Sequence, residues 1–155
     1  MSQEIDARLK QLGIDLPTPA PPAANYVPTV QTGKLLFVSG QIPSTADGPK
    51  YVGKVGREFT VEEGRAAARL CAVNVLAAIR AALGSLDRVA RVVKLVGFVN
   101  AVPDFTDPHL VVNGASDLIT EVLGDKVGKH ARSAVGMASL PRGVAVEIEV
   151  IVETV

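Results

Sequence analysis

Thr60-Val-Glu-Glu-Gly-Arg-Ala-Ala-Ala-Arg-Leu-Cys-Ala-Val-Asn-Val-Leu-Ala-Ala-Ile-Arg-Ala-Ala-Leu-Gly84, followed closely by Val89-Ala-Arg-Val-Val-Lys-Leu-Val-Gly-Phe-Val99, is the stretch on which the fold turns. Thr60 and Glu63 have capping-box spacing, and Ala66, Leu70, Val73, Leu76, Ala77 and Leu83 form a broad apolar stripe. The pattern predicts a helix over 61–83 that stops at Gly84. The run after it is β-branched and too apolar for an edge, so it predicts a central strand over 89–99.

Toward the C-terminus, Pro103-Asp-Phe-Thr-Asp-Pro108 reads as a turn into a second helix, roughly 108–123, with Gly124 after it. His130–Ser139 and Val144–Val155 read as two further strands joined by Leu140-Pro-Arg-Gly143, where Pro and Gly sit as a hairpin wants them. Toward the N-terminus, residues 44–59 read as an irregular loop with an extended piece near Tyr51-Val52. Before it, Val27–Thr32 and Lys34–Ser39 form a predicted hairpin about Gly33. Residues 1–21 are an extension of a short helix over 3–12 and a proline-rich linker, which precedes a domain over 22–155.

The order β-β-α-β-α-β-β predicts a single α/β (α+β) domain, with one mixed sheet and two helices on one face. The last strand alternates Val144, Val146, Ile148, Val150 and Val152 with Ala145, Glu147, Glu149, Ile151 and Glu153. Its second face is therefore only half polar, and copies of the chain in a closed oligomer would cover it.

Composition narrows the function. The chain has 155 residues, one domain's worth, with 48% hydrophobic and 21% charged, so it has a core; with aromatics at 4% and no Trp, that core is aliphatic. Sixteen basic and sixteen acidic residues leave a formal net charge of +0, which makes nucleic acid a poor partner. One cysteine and two histidines supply neither a disulfide nor a metal set. Met1–Lys10 spreads its charges and lacks the apolar core of a signal peptide, and no run approaches the about 20 apolar residues of a spanning helix. A soluble, cytoplasmic protein is the expectation.

What is left for chemistry is an arginine to hold an anion, a carboxylate to move protons, and some hydroxyls and amides. They lie in Tyr26–Pro43, in Val112-Asn113-Gly114, and in His130–Pro141 with the Val144–Glu149 strand. Each also has a plain structural reading. Arg132 suits a surface ion pair, Glu147 a solvated strand face, Tyr26 a lid on the core, Ser39 a strand end and His130 a neutral structural ring. Cys71 reads as core, and Gly33, Gly40 and Gly143 as turn residues.

Ser39-Gly-Gln-Ile-Pro43 after a short apolar strand, Ala131-Arg-Ser133 followed by Leu140-Pro141, and Val146-Glu-Ile-Glu149 keep an order and spacing that resemble the Rid family. These are the reactive intermediate deaminases, also called the YjgF family and once labelled endoribonuclease L-PSP. The resemblance runs from about Pro22 to Val155. It implies a chorismate-mutase-like fold and a homotrimer whose sheets form an inner barrel, with a site in each cleft between subunits.

The activity it implies is hydrolysis of 2-imino acids and their enamines to 2-keto acids and ammonia, with no cofactor and no metal. Arg132 matches the arginine that binds the substrate carboxylate, which a planar guanidinium can grip through two parallel hydrogen bonds. Glu147 matches the carboxylate that holds or activates water. Tyr26 matches an aromatic on the wall, Ser39 a hydroxyl near the imine end, and Asn113 an amide that closes the pocket. The chain departs from the pattern at His130, where Pro is usual, at Ala134, where Cys is usual, and in a longer 104–112 segment. The alternative is a non-catalytic trimer that binds a small carboxylate metabolite in the same cleft. A ribonuclease is disfavoured by the zero net charge and the lack of a suitable histidine pair.

Overall fold

The computed structural model describes residues 2–155. The elements run α1 (Ser2–Gln11), β1 (Thr29–Thr32), β2 (Leu35–Gln41), β3 (Ser44–Thr45), β4 (Gly48–Pro49), α2 (Val61–Leu83), β5 (Val89–Asn100), α3 (Pro108–Leu123), the single turn α4 (Asp125–Gly128), β6 (Ala131–Met137) and β7 (Val146–Thr154). Both long helices begin and end where the sequence predicts. At α2 the Glu63 N–H donates to the Thr60 hydroxyl at 3.2 Å and the Thr60 N–H to the Glu63 carboxylate at 2.7 Å. Gly84 closes the helix with φ 82°. α3 has Pro108 in its first turn and Gly124 behind it.

The main sheet has five strands in the order β1-β2-β7-β5-β6. β6 runs parallel to β5 and every other pair is antiparallel. β5, α3 and β6 thus form a crossover unit, the connection that a parallel pair requires. β5 is interior, as its apolar run predicts, but the middle place belongs to β7.

The predicted hairpin between the last two strands is not formed, because β5 lies between β6 and β7. Leu140–Gly143 does reverse the chain, with Arg142 at φ 60° and Gly143 at φ 69°. It serves a wider connection that steps over β5. Turn chemistry fixes the reversal but not the partner, and β7, buried residue by alternate residue, gains a ladder on both edges by entering between β2 and β5. Smaller differences follow local chemistry. β1 starts only after Pro28, which has no N–H to donate, and β2 continues to Gln41 through a bulge between Val38 and Gln41. The 44–59 loop contains the β3–β4 hairpin.

Both long helices cover one face of the sheet. Their small and branched residues, Ala67, Ala68, Cys71, Ala72, Val75, Leu76, Val111, Ala115, Leu118 and Ile119, pack with Leu36, Val38, Val92, Leu95, Val146, Ile148, Val150 and Val152. α2 is long and apolar enough to cross a membrane by length and composition, contrary to the expectation above, but 56% of its most apolar stretch is buried within the fold. A Cβ on Gly114 would overlap the Arg65 carbonyl, and one on Gly97 would overlap Val112. α3 is thereby drawn close to both α2 and β5. The N-terminal segment joins the same core through Leu9 and Leu16, and Arg80 of α2 donates to the Leu16 carbonyl at 2.8 Å.

Candidate functional site

Arg132 lies on β6, an edge strand, opposite Leu95 of β5. Leu95 is fully buried under the helices, so the Arg132 side chain shares that face and reaches α3. Its Nη1 donates to Asn113 Oδ1 at 2.8 Å and to Ser116 Oγ at 3.2 Å, and its Nη2 donates to the His109 carbonyl at 3.1 Å. His109, Asn113 and Ser116 fall at i, i+4 and i+7 on α3, a polar stripe that the Arg132 guanidinium spans. A guanidinium has five N–H donors. Three are used here, leaving Nε–H and one Nη2–H, the number that one carboxylate can accept.

His130 stands two residues before Arg132 and shares the network. Its Nδ1 is 2.6 Å from the Gly128 carbonyl and its Nε2 is 2.9 Å from Ser116 Oγ. Burial holds this imidazole below its ordinary pKa, and the Arg132 charge pushes the same way, against the hydrogen bond to Gly128. Both ring nitrogens are bonded within the fold.

Glu147 is elsewhere. Its neighbours Val146 and Ile148 are fully buried under the helices, so the carboxylate projects from the opposite, helix-free face, where it sits over Gly40 at the β2 bulge. A Cβ at position 40 would overlap the carboxylate, so the glycine lets Glu147 lie against the β2 backbone. Among the described residues Glu147 has no hydrogen-bond or ion-pair partner. Burial raises its pKa above the ordinary value and the Glu149 charge adds to this. Ser39 lies beside it on β2 and donates its hydroxyl to the Val27 carbonyl at 2.7 Å, which ties half-exposed Tyr26 to the same end of the strand.

One chain therefore divides the five candidates. Arg132 and Asn113 are joined on the helix side of β6. Glu147 and Ser39 lie on the other face, Glu147 over the β2 bulge and Ser39 next to Gly40 in the chain, and Tyr26 directly precedes the Val27 whose carbonyl Ser39 bonds. The helix-free face also carries a 310 Å³ depression lined by Phe37, Ser39, Lys94, Val96, Glu149 and Ile151. Phe37 is 42% exposed there, a large apolar side chain left uncovered by its own chain. A separate concavity of 530 Å³ lies between α1, the linker and α2, where Asp6 and Asp15 offset Lys10 and Arg80. It is built without any of the five candidates. Among the described residues no group of three or more metal-ligating side chains comes together.

Ser116 and the α4 turn were not foreseen. Ser116 carried a signal, since it lies three residues beyond Asn113 on a confidently periodic helix and so shares its face. α4 carried almost none, being a single turn between two glycines.

Comparison with known proteins agrees with the fold. A family model described as YjgF/chorismate mutase-like, with an endoribonuclease label, matches residues 6–151. The chain is 54% identical to protein TCP17 of Trypanosoma cruzi over 152 residues, 98% of this chain and 95% of that one. The crystal structure of Atu1372 from Agrobacterium tumefaciens superposes with a TM-score of 0.92 at 52% identity, covering 99% of this chain and 94% of the other. The structure of Escherichia coli TdcF with bound serine is more distant, with a TM-score of 0.64 at 26% identity over 89% of this chain and 94% of that one. The first two similarities extend through α1 and the linker, so that segment is shared by whole-length relatives. The chain belongs to the YjgF/chorismate-mutase-like family, the Rid proteins.

Proposed function

We propose that three copies close their helix-free faces into a barrel and that each cleft between subunits hydrolyses 2-imino acids to 2-keto acids and ammonium. The observation that carries this reading is the Arg132 cradle, which fixes a guanidinium with two donors still free. A substrate carboxylate takes those donors and is oriented rather than activated by them. The structure of TdcF holds serine, a small molecule with the same carboxylate next to a nitrogen-bearing carbon.

The protonated imine carbon is electrophilic without help. Water adds to it while a carboxylate, assigned to Glu147 of a neighbouring copy, takes one water proton. That proton passes to the amino group of the tetrahedral adduct; the same carboxylate then takes the remaining hydroxyl proton as the C=O bond forms and the C–N bond breaks, and hands it to the departing ammonia, so that ammonium and the 2-keto acid leave. Ser39 keeps lone pairs free at the imine end, Tyr26 forms a wall, and Asn113 acts through Arg132.

The test generates imine in situ from an amino acid with an amino-acid oxidase and follows 2-keto acid release. The protein accelerates release, and both Arg132→Ala and Glu147→Gln abolish the gain. If the protein and both variants match the blank while pyruvate still raises the thermal midpoint, and Arg132→Ala removes that shift, the chain is a carboxylate-binding module instead.

A further inference from the structure

His130 and Ser116 lie outside the contacts that a substrate would make, yet both are built into the surroundings of Arg132. We propose that Ser116 and His130 are positioning residues that together hold the Arg132 guanidinium in its carboxylate-gripping orientation, His130 acting through the Ser116 hydroxyl. The proposal rests on the carboxylate-binding reading of Arg132.

The direction of every hydrogen bond in the chain follows from chemistry. The Gly128 carbonyl only accepts, so Nδ1 of His130 must carry the hydrogen at their 2.6 Å contact. In a neutral ring Nε2 then has a lone pair, and Ser116 donates its single O–H to it at 2.9 Å. With that hydrogen committed, the lone pairs of Ser116 Oγ are left to accept from Arg132 Nη1 at 3.2 Å. Arg132 donates to Ser116, Ser116 to His130, and His130 to Gly128.

A helical serine left alone commonly turns its hydroxyl back to the carbonyl four residues earlier, here Val112. His130 removes that option by offering a better-placed acceptor. The anchor at the far end is firm. A Cβ on Gly128 would press on Thr120 of α3, so the α4 turn sits directly against the helix that bears Ser116. Asn113 and the His109 carbonyl fix two other Arg132 hydrogens, and Ser116 supplies the third point that stops rotation about Nε–Cζ.

The experiment compares the parent protein with Ser116→Ala, His130→Phe, His130→Gln and Arg132→Ala. Two quantities are measured: pyruvate affinity by titration calorimetry, and the Arg132 Nη ¹⁵N resonances. In the parent the two Nη signals are separate. Ser116→Ala and His130→Phe coalesce them and weaken pyruvate binding about 5- to 10-fold, the scale of one ordinary hydrogen bond, with far-UV circular dichroism unchanged. His130→Gln, whose amide oxygen can reach the Ser116 hydroxyl, restores most of both. Unchanged affinity and separate Nη signals in Ser116→Ala and His130→Phe, with Arg132→Ala still abolishing binding, would overturn the relay alone. Undiminished binding by Arg132→Ala would instead overturn the carboxylate reading, and with it the purpose assigned to the relay.

Discussion

Arg132 and Glu147 project from opposite faces of one five-stranded sheet, Arg132 into the polar stripe of α3 and Glu147 over Gly40. A single chain cannot bring the two together on one small substrate. If each site takes its arginine from one subunit and its carboxylate from another, inactive chains should complement. Co-expressed Arg132→Ala and Glu147→Gln chains, mixing at random, regain about a quarter of the parental deaminase rate, since half the arginines meet half the carboxylates in a closed ring. Activity assay of the co-purified mixture checks this, and mixtures no more active than either variant exclude the shared site.

The pH dependence of the proposed reaction follows from the base role proposed for Glu147. As a base it must be ionised, and burial together with Glu149 raises its pKa, so kcat/KM falls on the acid side at a pH above that of an ordinary glutamate. Glu149→Gln removes the like charge and moves this acid limb to lower pH. Stability has the opposite sign. A carboxyl whose pKa is raised in the folded state is most favourable below its unfolded pKa, and that contribution is lost as pH rises through the folded value. Glu147→Gln is therefore expected to raise the thermal midpoint at pH 7.5 and leave it nearly unchanged at pH 4.

Gly40 is spatially matched to the Glu147 carboxylate. Gly40→Ala places a methyl where that carboxylate lies, displaces it, and is expected to reduce kcat about 10-fold or more while destabilising the fold by less than about 1 kcal/mol. Adding Glu147→Ala to Gly40→Ala recovers the stability but not the rate. A double-mutant cycle by chemical denaturation measures the coupling.

Leu9 of α1 is only 5% exposed and belongs to the main core. Leu9→Ala should cost about 2–3 kcal/mol, visible as a lower denaturation midpoint with an unchanged slope. An N-terminal segment that merely trailed from the domain would give no change.

Legibility in the sequence followed the range of the forces involved. α2 and α3 were readable to the residue because Thr60, Glu63, Gly84, Pro108 and Gly124 act within one turn of the helix ends. The partner of β7 was not readable, because Pro141 and Gly143 dictate a local reversal whichever strands pair. The same limit governed the site. The Rid-like strings located Ser39, Arg132 and Glu147 along the chain, and the resemblance implied Tyr26 and Asn113 outside them. That Arg132 pairs opposite Leu95, and Glu147 opposite Phe98, depends on strand register, which fixes the face of each side chain and is set by the whole sheet. Ser116 escaped notice because a serine on a helix is ordinarily a solvent residue, and its role depends on an imidazole delivered from the far side of α4.

β7 is last in sequence and middle in space, and this orders events during synthesis. Until its final residues leave the ribosome, β2 and β5 each lack a neighbour, and the nascent domain is two half-sheets with open edges. The sheet cannot close until β7 has been made, and the contacts that close it link distant parts of the domain, with Leu35 waiting for Glu153. A chain cut ahead of residue 146 would keep all the other strands of the sheet, yet it would have no centre to assemble around.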